Sequence, residues 1–348
     1  MRILLIGATS YVASPFVEGC LRREWDVFAL TRDRVSQKIL AVSGGDRVVA
    51  VPPDGIRSLG SVDGIVNFAY PRGLSTTRIH GATLRLVNGM VDAARHLSPR
   101  IVIQVSTQSV FGYAFAREPR PVAASWVRGD SYIETKALAE WLFMVRARQS
   151  SYTKVVLRLG NVIGPGAYWI SELARRMLFG EPVGRGASNA TYVRNVADYV
   201  CHLLAAEGSG LRVFGPFHHL AEFSSYTWDC IADQIGDAIG VRPSYREAPA
   251  PPSGTGVRDL VKSGIRFSCM LLPEAVQDPI DRLQEWRHRR LYPQAHAENG
   301  ALDDHPTLHQ TVVFRSHTLP GWTPRFDMES ALGDTIAWVR GAGYVGLS

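Results

Sequence analysis

Short runs that are apolar at nearly every position recur through the first half of the chain, at residues 2–6, 26–30, 47–51, 64–68, 101–105 and 155–159. Runs of this length, rich in Val, Ile and Leu and apolar on both faces, read as strands buried inside a sheet. Between them, residues 12–23, 77–95 and 132–148 repeat apolar positions at helical spacing and carry their charges on the opposite side. Strands that alternate with helices predict an α/β architecture built on a doubly wound parallel sheet.

Beyond Gly164-Pro165-Gly166 the alternation gives way to helical segments at 170–179, 195–206, 227–239 and 330–340, separated by glycine and proline turns. The expected division is a large first domain over 1–166, to which 191–206 returns, and a smaller, mixed C-terminal lobe over 167–190 and 207–348. Residues 248–256, rich in Pro, Ala and Gly, read as loop. Residues 285–309, with many His, Arg and Asp and no periodicity, read as a loop excursion.

Composition removes several function classes. Apolar residues at 46% and charged residues at 20% of 348 are those of a folded globular chain. A net charge of +6 is spread along the chain rather than clustered, so no nucleic-acid partner is expected. The four cysteines, Cys20, Cys201, Cys230 and Cys269, are too scattered for a disulfide framework or a zinc site. No metal is expected. Residues 1–7 form too short an apolar start for a secretion signal and contain Arg2, and no run reaches the length of a membrane span. A cytoplasmic location, away from membranes, is the expectation.

The first strand runs into Gly7-Ala8-Thr9-Ser10-Tyr11-Val12-Ala13, where a dinucleotide-binding turn would carry three glycines. Only Gly7 is present. Alanine serves at the last position, whereas Ser10 replaces the glycine that lets the backbone approach a pyrophosphate. The amides of Tyr11 and Val12, at a helix N-terminus, remain able to face a phosphate. The second strand ends Leu30-Thr31-Arg32-Asp33: a carboxylate there would favour the ribose hydroxyls of NAD, and Arg32 the 2′-phosphate of NADP. The pattern admits either cofactor and leans to NADP.

Tyr132-Ile133-Glu134-Thr135-Lys136 lies in a helical segment, and a spacing of four puts phenol and ammonium on one face. A tyrosine with a free pKa of about 10 needs a neighbouring cation before it can exchange protons with an alcohol or ketone near neutrality. Upstream stands Val105-Ser106-Thr107-Gln108-Ser109-Val110-Phe111-Gly112, a strand end opening into a hydroxyl-rich loop. Downstream stands Leu157-Arg158-Leu159-Gly160-Asn161-Val162-Ile163-Gly164.

In this order and spacing, the three blocks resemble the NAD(P)-dependent epimerase/dehydratase family of extended short-chain dehydrogenases. The likeness covers residues 1–200 and resumes at Leu319-Pro320-Gly321-Trp322-Thr323-Pro324. It implies a Rossmann-type first domain that binds NAD or NADP through Gly7, Ser10, Tyr11, Val12, Arg32, Phe68, Ala69, Tyr70 and Lys136, with the C-terminal lobe binding substrate. It further implies that Tyr132 exchanges the proton, that Lys136 holds the nicotinamide ribose, and that Thr107 binds the substrate oxygen. Gln108, Asn161 and Arg194 are the further candidates for substrate contact, and a homodimer built on 77–95 and 132–148 is implied as well.

Departures from the family pattern narrow the chemistry. Dehydratases place an acidic pair directly after the threonine, but here stand Gln108 and Ser109, which do not titrate usefully, so dehydration is not expected. Ser188 occupies the place where nucleotide-sugar enzymes of the family carry a diphosphate-binding arginine, and Asn195 replaces the acidic residue beyond it. The resulting expectation is an epimerase or ketoreductase acting on a secondary alcohol or ketone of a sugar, nucleotide-linked or not, or of a sugar-like metabolite. Tailoring of a natural-product intermediate in secondary metabolism and a non-catalytic NAD(P)-binding scaffold or sensor stand as the alternatives.

Overall fold

A computed structural model of the chain describes residues 1–31, 45–71, 78–111, 131–209, 215–247, 313–314 and 316–342, with Val261, Gly264 and Ser268 as isolated positions. Both predicted loops, at 248–256 and 285–309, lie outside the described residues, as does Arg32.

In chain order the structure begins with β1 (Arg2–Ile6), α1 (Ala13–Leu21), β2 (Asp26–Leu30), β3 (Val48–Val51), β4 (Gly64–Asn67), α2 (Arg78–Leu97), β5 (Ile101–Thr107), α3 (Ser131–Arg146) and β6 (Thr153–Leu159). These are followed by β7 (Asn161–Ile163), α4 (Tyr168–Leu178), β8 (Val183–Gly184), β9 (Ala190–Tyr192), α5 (Val193–Gly208), β10 (Phe217–Leu220), α6 (Trp228–Ile239), β11 (Tyr245–Arg246) and α7 (Met328–Gly341). Seven strands form one sheet in the order β10-β6-β5-β4-β1-β2-β3, every pair parallel.

The alternation of side chains along each strand divides the core into two layers. Ile3, Leu5, Ile101, Ile103, Val155 and Leu157 face a layer closed by α1 and α5. Leu4, Val102 and Val156 face the other, closed by α2 and α3. Both faces are therefore covered, which is why the strands read as runs apolar at most positions. Strand order reverses between β1 and β4, and in such sheets the crevice beyond the carboxyl ends at that point is where ligands bind.

A second cluster joins α4, α6 and α7 around Trp228, Leu173 and Leu332. Two small parallel pairs, β7 with β9 and β8 with β11, lie alongside it. The start of α7 is capped by Asp327, whose Oδ1 accepts the Ser330 N–H at 2.8 Å. Among the described residues no helix is long and apolar enough to cross a membrane, and no group of three or more metal-ligating side chains occurs.

One element departs from the expected division. Residues 217–220, assigned above to the second lobe, supply the seventh strand of the main sheet. Phe217-His218-His219-Leu220 does not look apolar, yet both histidines are buried. The His218 ring lies in a hydrogen bond with the Tyr199 hydroxyl at 2.5 Å, and residues 316–319 meet this edge through an antiparallel bridge between His219 and His317.

Candidate active site

At the first strand-to-helix turn, Gly7 has φ +81°, and a Cβ there would lie 2.5 Å from the Ala69 backbone nitrogen. Both facts demand glycine, because the turn after β1 lies directly on the turn after β4. Ser10 donates its N–H to the Gly7 carbonyl and accepts that of Ala13, each at 3.0 Å, and neither Ser10 nor Ala13 needs a left-handed backbone. Loss of two glycines has thus not distorted the turn. Helix α1 starts without a side-chain cap at Val12, which leaves its first amides available to an anion.

Two hydroxyls in this region are buried without a hydrogen-bond partner, Ser10 Oγ and Thr31 Oγ1. Thr31 closes β2, 4% exposed, with its N–H given to the Val51 carbonyl at 2.9 Å. Asn67, at the end of β4, holds the opposite wall by accepting the Ala69 N–H at 2.9 Å and donating to Gln104 Oε1 at 2.8 Å. Gly7, Thr9, Thr31, Arg57, Tyr70 and Arg85 line a cleft of about 1050 Å³ between these strand ends and α2. Its volume, its glycine-bounded floor and the unpaired Thr31 hydroxyl suit a dinucleotide.

Tyr11 turns away from this cleft. Its ring joins the second cluster, and its hydroxyl would meet a Cβ on Gly164 at 2.9 Å. Burial without a partner pushes that phenol well above its ordinary range. Tyr11 therefore packs the turn against Gly164, and its backbone alone is left for a cofactor.

Tyr70 connects the cleft to the proton-transfer candidates. The Tyr132 ring meets it edge-on, with centroids 5.2 Å apart, and Lys136 Nζ lies 5.2 Å from its ring centre. Lys136 also donates to the Val105 carbonyl at 3.5 Å, which fixes the ammonium against the end of β5. Tyr132 is 38% exposed, whereas Lys136 is buried, so the phenol faces outward over an enclosed cation. Helix α3 packs on β5 and on the 3-10 turn Gln108–Phe111, which carries the residues after Thr107. Thr107 Oγ1 donates to Ser109 Oγ and accepts the Ser109 N–H, both at 3.2 Å. A phenol, an ammonium and a hydroxyl on adjoining elements can hold and exchange a proton at a C–O group.

The other candidates divide. Gln108 is 2% exposed and neither its Oε1 nor its Nε2 has a hydrogen-bond partner, an arrangement that costs about 1–3 kcal/mol per unsatisfied group. Asn161 spends its amide on the fold, with Nδ2 donating to the Ser188 carbonyl at 2.6 Å. Arg194 stands apart from the cleft: it pairs with Asp334 at 3.0 Å and lines a separate hollow with Glu18, Arg22 and Arg325 on the outer side of α1. Ser188 donates to the Tyr226 carbonyl, and Asn195 ties Glu222 to the Phe326 backbone. These two departures from the family pattern are thus built into the packing.

Sequence reading missed the group that anchors α3. Glu140, buried, accepts the Ser106 hydroxyl at 2.5 Å and two guanidinium N–H groups of Arg158, the closest at 2.6 Å. Arg158 lies between the rings of Phe111 and Phe217, at 4.7 and 4.5 Å. The available signal was the helical spacing 132, 136, 140, which puts all three side chains on one face.

The family model described as the NAD dependent epimerase/dehydratase family matches residues 3–214. Among curated proteins none matches. Several solved structures share the fold. UDP-glucose 4-epimerase of Thermotoga maritima, with UDP-glucose, is 14% identical at a TM-score of 0.64, with 98% of this chain and 99% of that one covered. UDP-glucose 4-epimerase of Thermus thermophilus, complexed with NAD, is 17% identical at 0.59, with 98% and 100% covered. Human epimerase family protein SDR39U1, with NADPH, is 18% identical at 0.56, with 78% and 94% covered.

Proposed function

Because the chain belongs to the NAD dependent epimerase/dehydratase family, we propose that it epimerises or reduces a secondary alcohol or ketone of a sugar or sugar-like metabolite, with a nicotinamide cofactor. The observation that carries this reading is Tyr132 and Lys136 on one face of α3, joined through Tyr70 to the cleft at the strand-order reversal. Solved structures with this fold include UDP-sugar epimerases, which supports a sugar substrate. Ser188 and Asn195, both committed to internal hydrogen bonds, supply no diphosphate clamp at those positions.

Gly7, Ser10, the amides at Tyr11 and Val12, Thr31, Ala69 and Lys136 would hold the cofactor. When bound, it accepts or returns a hydride at the substrate carbon. Tyr132 removes the proton from the alcohol in the oxidising direction and restores it in the reducing one. Lys136 keeps the phenolate accessible by placing a positive charge beside it. Thr107 fixes the oxygen that gains or loses the proton. Gln108 and Ser109 offer no acid–base couple for elimination of water.

The cofactor decides between the two reactions. An epimerase must retain its oxidised cofactor through a turnover, whereas a reductase exchanges it. Thr31 in place of a carboxylate at the end of β2 favours acceptance of NADP. The test is to identify what the purified protein retains, by native mass spectrometry and absorbance near 340 nm, and then to measure UDP-glucose/UDP-galactose interconversion and NADPH oxidation with keto-sugars. Retained NAD⁺ with interconversion identifies an epimerase, and NADPH turnover a reductase. Binding of either cofactor, with turnover unaffected by Tyr132→Phe, would refute the proton-transfer assignment.

A further inference from the structure

The ion pair behind the proposed active site is placed to do more than hold the fold. Tyr132, Lys136 and Glu140 follow one another at helical spacing, so the Glu140 carboxylate sits one turn from Lys136 on the same face of α3. That face meets β5 in register: Lys136 donates to Val105, and the next residue, Ser106, donates to Glu140. Thr107 follows directly. Arg158 binds the same carboxylate through two N–H groups, and its guanidinium is stacked on Phe111, the last residue of the turn that begins at Gln108.

We propose that Glu140 is a positioning residue for the Tyr132–Lys136 pair, pinning α3 to the end of β5 and cancelling the charge of Arg158, so that the pair titrates beside a neutral couple. This rests on the function proposed above. A guanidinium keeps its charge at any accessible pH, and Arg158, at 1% side-chain exposure, has little water to screen it. Without the carboxylate its field would reach the active site through the protein. An uncompensated cation there disfavours the charged ammonium of Lys136 and favours the phenolate of Tyr132, so both groups would lose their protons at lower pH.

Among the described residues, further titratable and charged groups near the pair include Tyr70, from the turn after β4, and the His80–Glu134 couple between α2 and α3, 3.7 Å apart and fully buried. His219, on β10 behind Phe111, is held neutral by burial and stacks on that ring at 5.5 Å. Of these, His219 also feels the charge of Arg158, but its ring stays neutral from pH 7 to 10 whether or not that charge is present.

The test reads the pH dependence of cofactor affinity, which needs no knowledge of the substrate. NADPH and NAD⁺ are titrated separately into the full-length protein, by fluorescence and calorimetry, from pH 7 to 10. In the unaltered protein affinity falls at alkaline pH as the Tyr132–Lys136 pair loses a proton. Glu140→Gln should move the midpoint of that fall down by about half a pH unit or more, from a unit charge acting across roughly 10 Å at an effective dielectric near 20. Arg158→Gln should move it up, because the unpaired carboxylate is ionised in the alkaline range. Glu140→Gln combined with Arg158→Met removes both charges and should return the midpoint to its original place, although affinity stays weaker without the Arg158 anchor.

A purely structural pair would weaken binding in every variant and leave the midpoint where it was, which overturns the proposal. Shifts of equal sign in Glu140→Gln and Arg158→Gln overturn it too, as does an affinity in the unaltered protein that is flat to pH 10. If Glu140→Gln does not fold, the upward shift in Arg158→Gln decides alone. Failure of the unaltered protein to bind either cofactor would refute the proposed function itself, an outcome distinct from a midpoint that does not move.

Discussion

Acid should unfold this protein at its seventh strand first, through two buried histidines. Burial holds His218 down to about 4 and His219 to about 3, against an ordinary value of 6.5. Desolvation is the main cause in both, and Arg158 adds repulsion at His219. Both are therefore neutral in the fold over the whole physiological range, while the unfolded chain takes up protons below about pH 6.5. The unfolded state binds more protons, so stability rises with pH. The full contribution is present above pH 6.5 and is lost as pH falls from there toward 4 and 3.

Each group contributes a slope of about 1.4 kcal/mol per pH unit, so two units of acidification cost about 2.5 kcal/mol per histidine, or about 5 kcal/mol for both. That loss is comparable to the whole stability of many domains. His219 isolates the effect, because its Nε2 has no hydrogen-bond partner and its ring is stacked on Phe111, so that His219→Phe keeps the packing. Urea unfolding followed by tryptophan fluorescence at pH 7.0, 5.5 and 4.5 is the assay. The variant should match the parent at pH 7.0 and exceed it by about 2.5 kcal/mol at pH 4.5. Curves that stay parallel across the three pH values would show that His219 is protonated in the fold and that the reasoning fails.

Four further outcomes are expected. Tyr132→Phe should lower kcat by about 100-fold or more while NADPH and NAD⁺ affinities, measured by fluorescence and calorimetry, change little, since only the exchangeable proton is removed. Thr31→Asp should weaken NADP⁺ binding by about tenfold or more relative to NAD⁺ in paired titrations, because a carboxylate at the end of β2 repels the 2′-phosphate. Gly7→Ala should lower stability by about 2 kcal/mol or more, read from urea midpoints, given φ +81° and a Cβ forced to 2.5 Å from the Ala69 nitrogen. The unaltered protein should run as a dimer in light scattering and Trp141→Glu as a monomer, because Trp141 and Val145 stand 47% and 49% exposed one helical turn apart on α3.

The sheet was legible because a strand covered on both faces keeps consecutive apolar residues through its middle, as Ile3–Ile6 in β1, Ile65 and Val66 in β4, and Ile101–Ile103 in β5 do. Strand β10 was not, since two histidines disguise it and the groups that satisfy His218, Tyr199 and the Gly215 carbonyl, belong to other elements. The Tyr132–Lys136 spacing was legible because the interaction is local to a helix. Arg194 read as a substrate cation, but its partner Asp334 lies 140 positions further along the chain (334 − 194), and no local pattern announces such a pair. Glu140 was passed over for the opposite reason: a charged residue inside a helix ordinarily marks the solvated face, and only Ser106 and Arg158, on two different strands, reveal it as core.

Where the fold leaves polar groups unsatisfied bears on what the cleft is for. Ser10, Thr31 and Gln108 each end a buried side chain in an atom with no hydrogen-bond partner, and they stand after β1, β2 and β5. An apolar residue of similar size at each place would relieve the desolvation cost, about 1–3 kcal/mol per group. Strand ends on one edge of a parallel sheet are also where that cost can be recovered by a ligand that offers hydroxyls and phosphates. Of the three, Thr31 lines the cleft, so its hydroxyl is the one that a ligand seated there would satisfy.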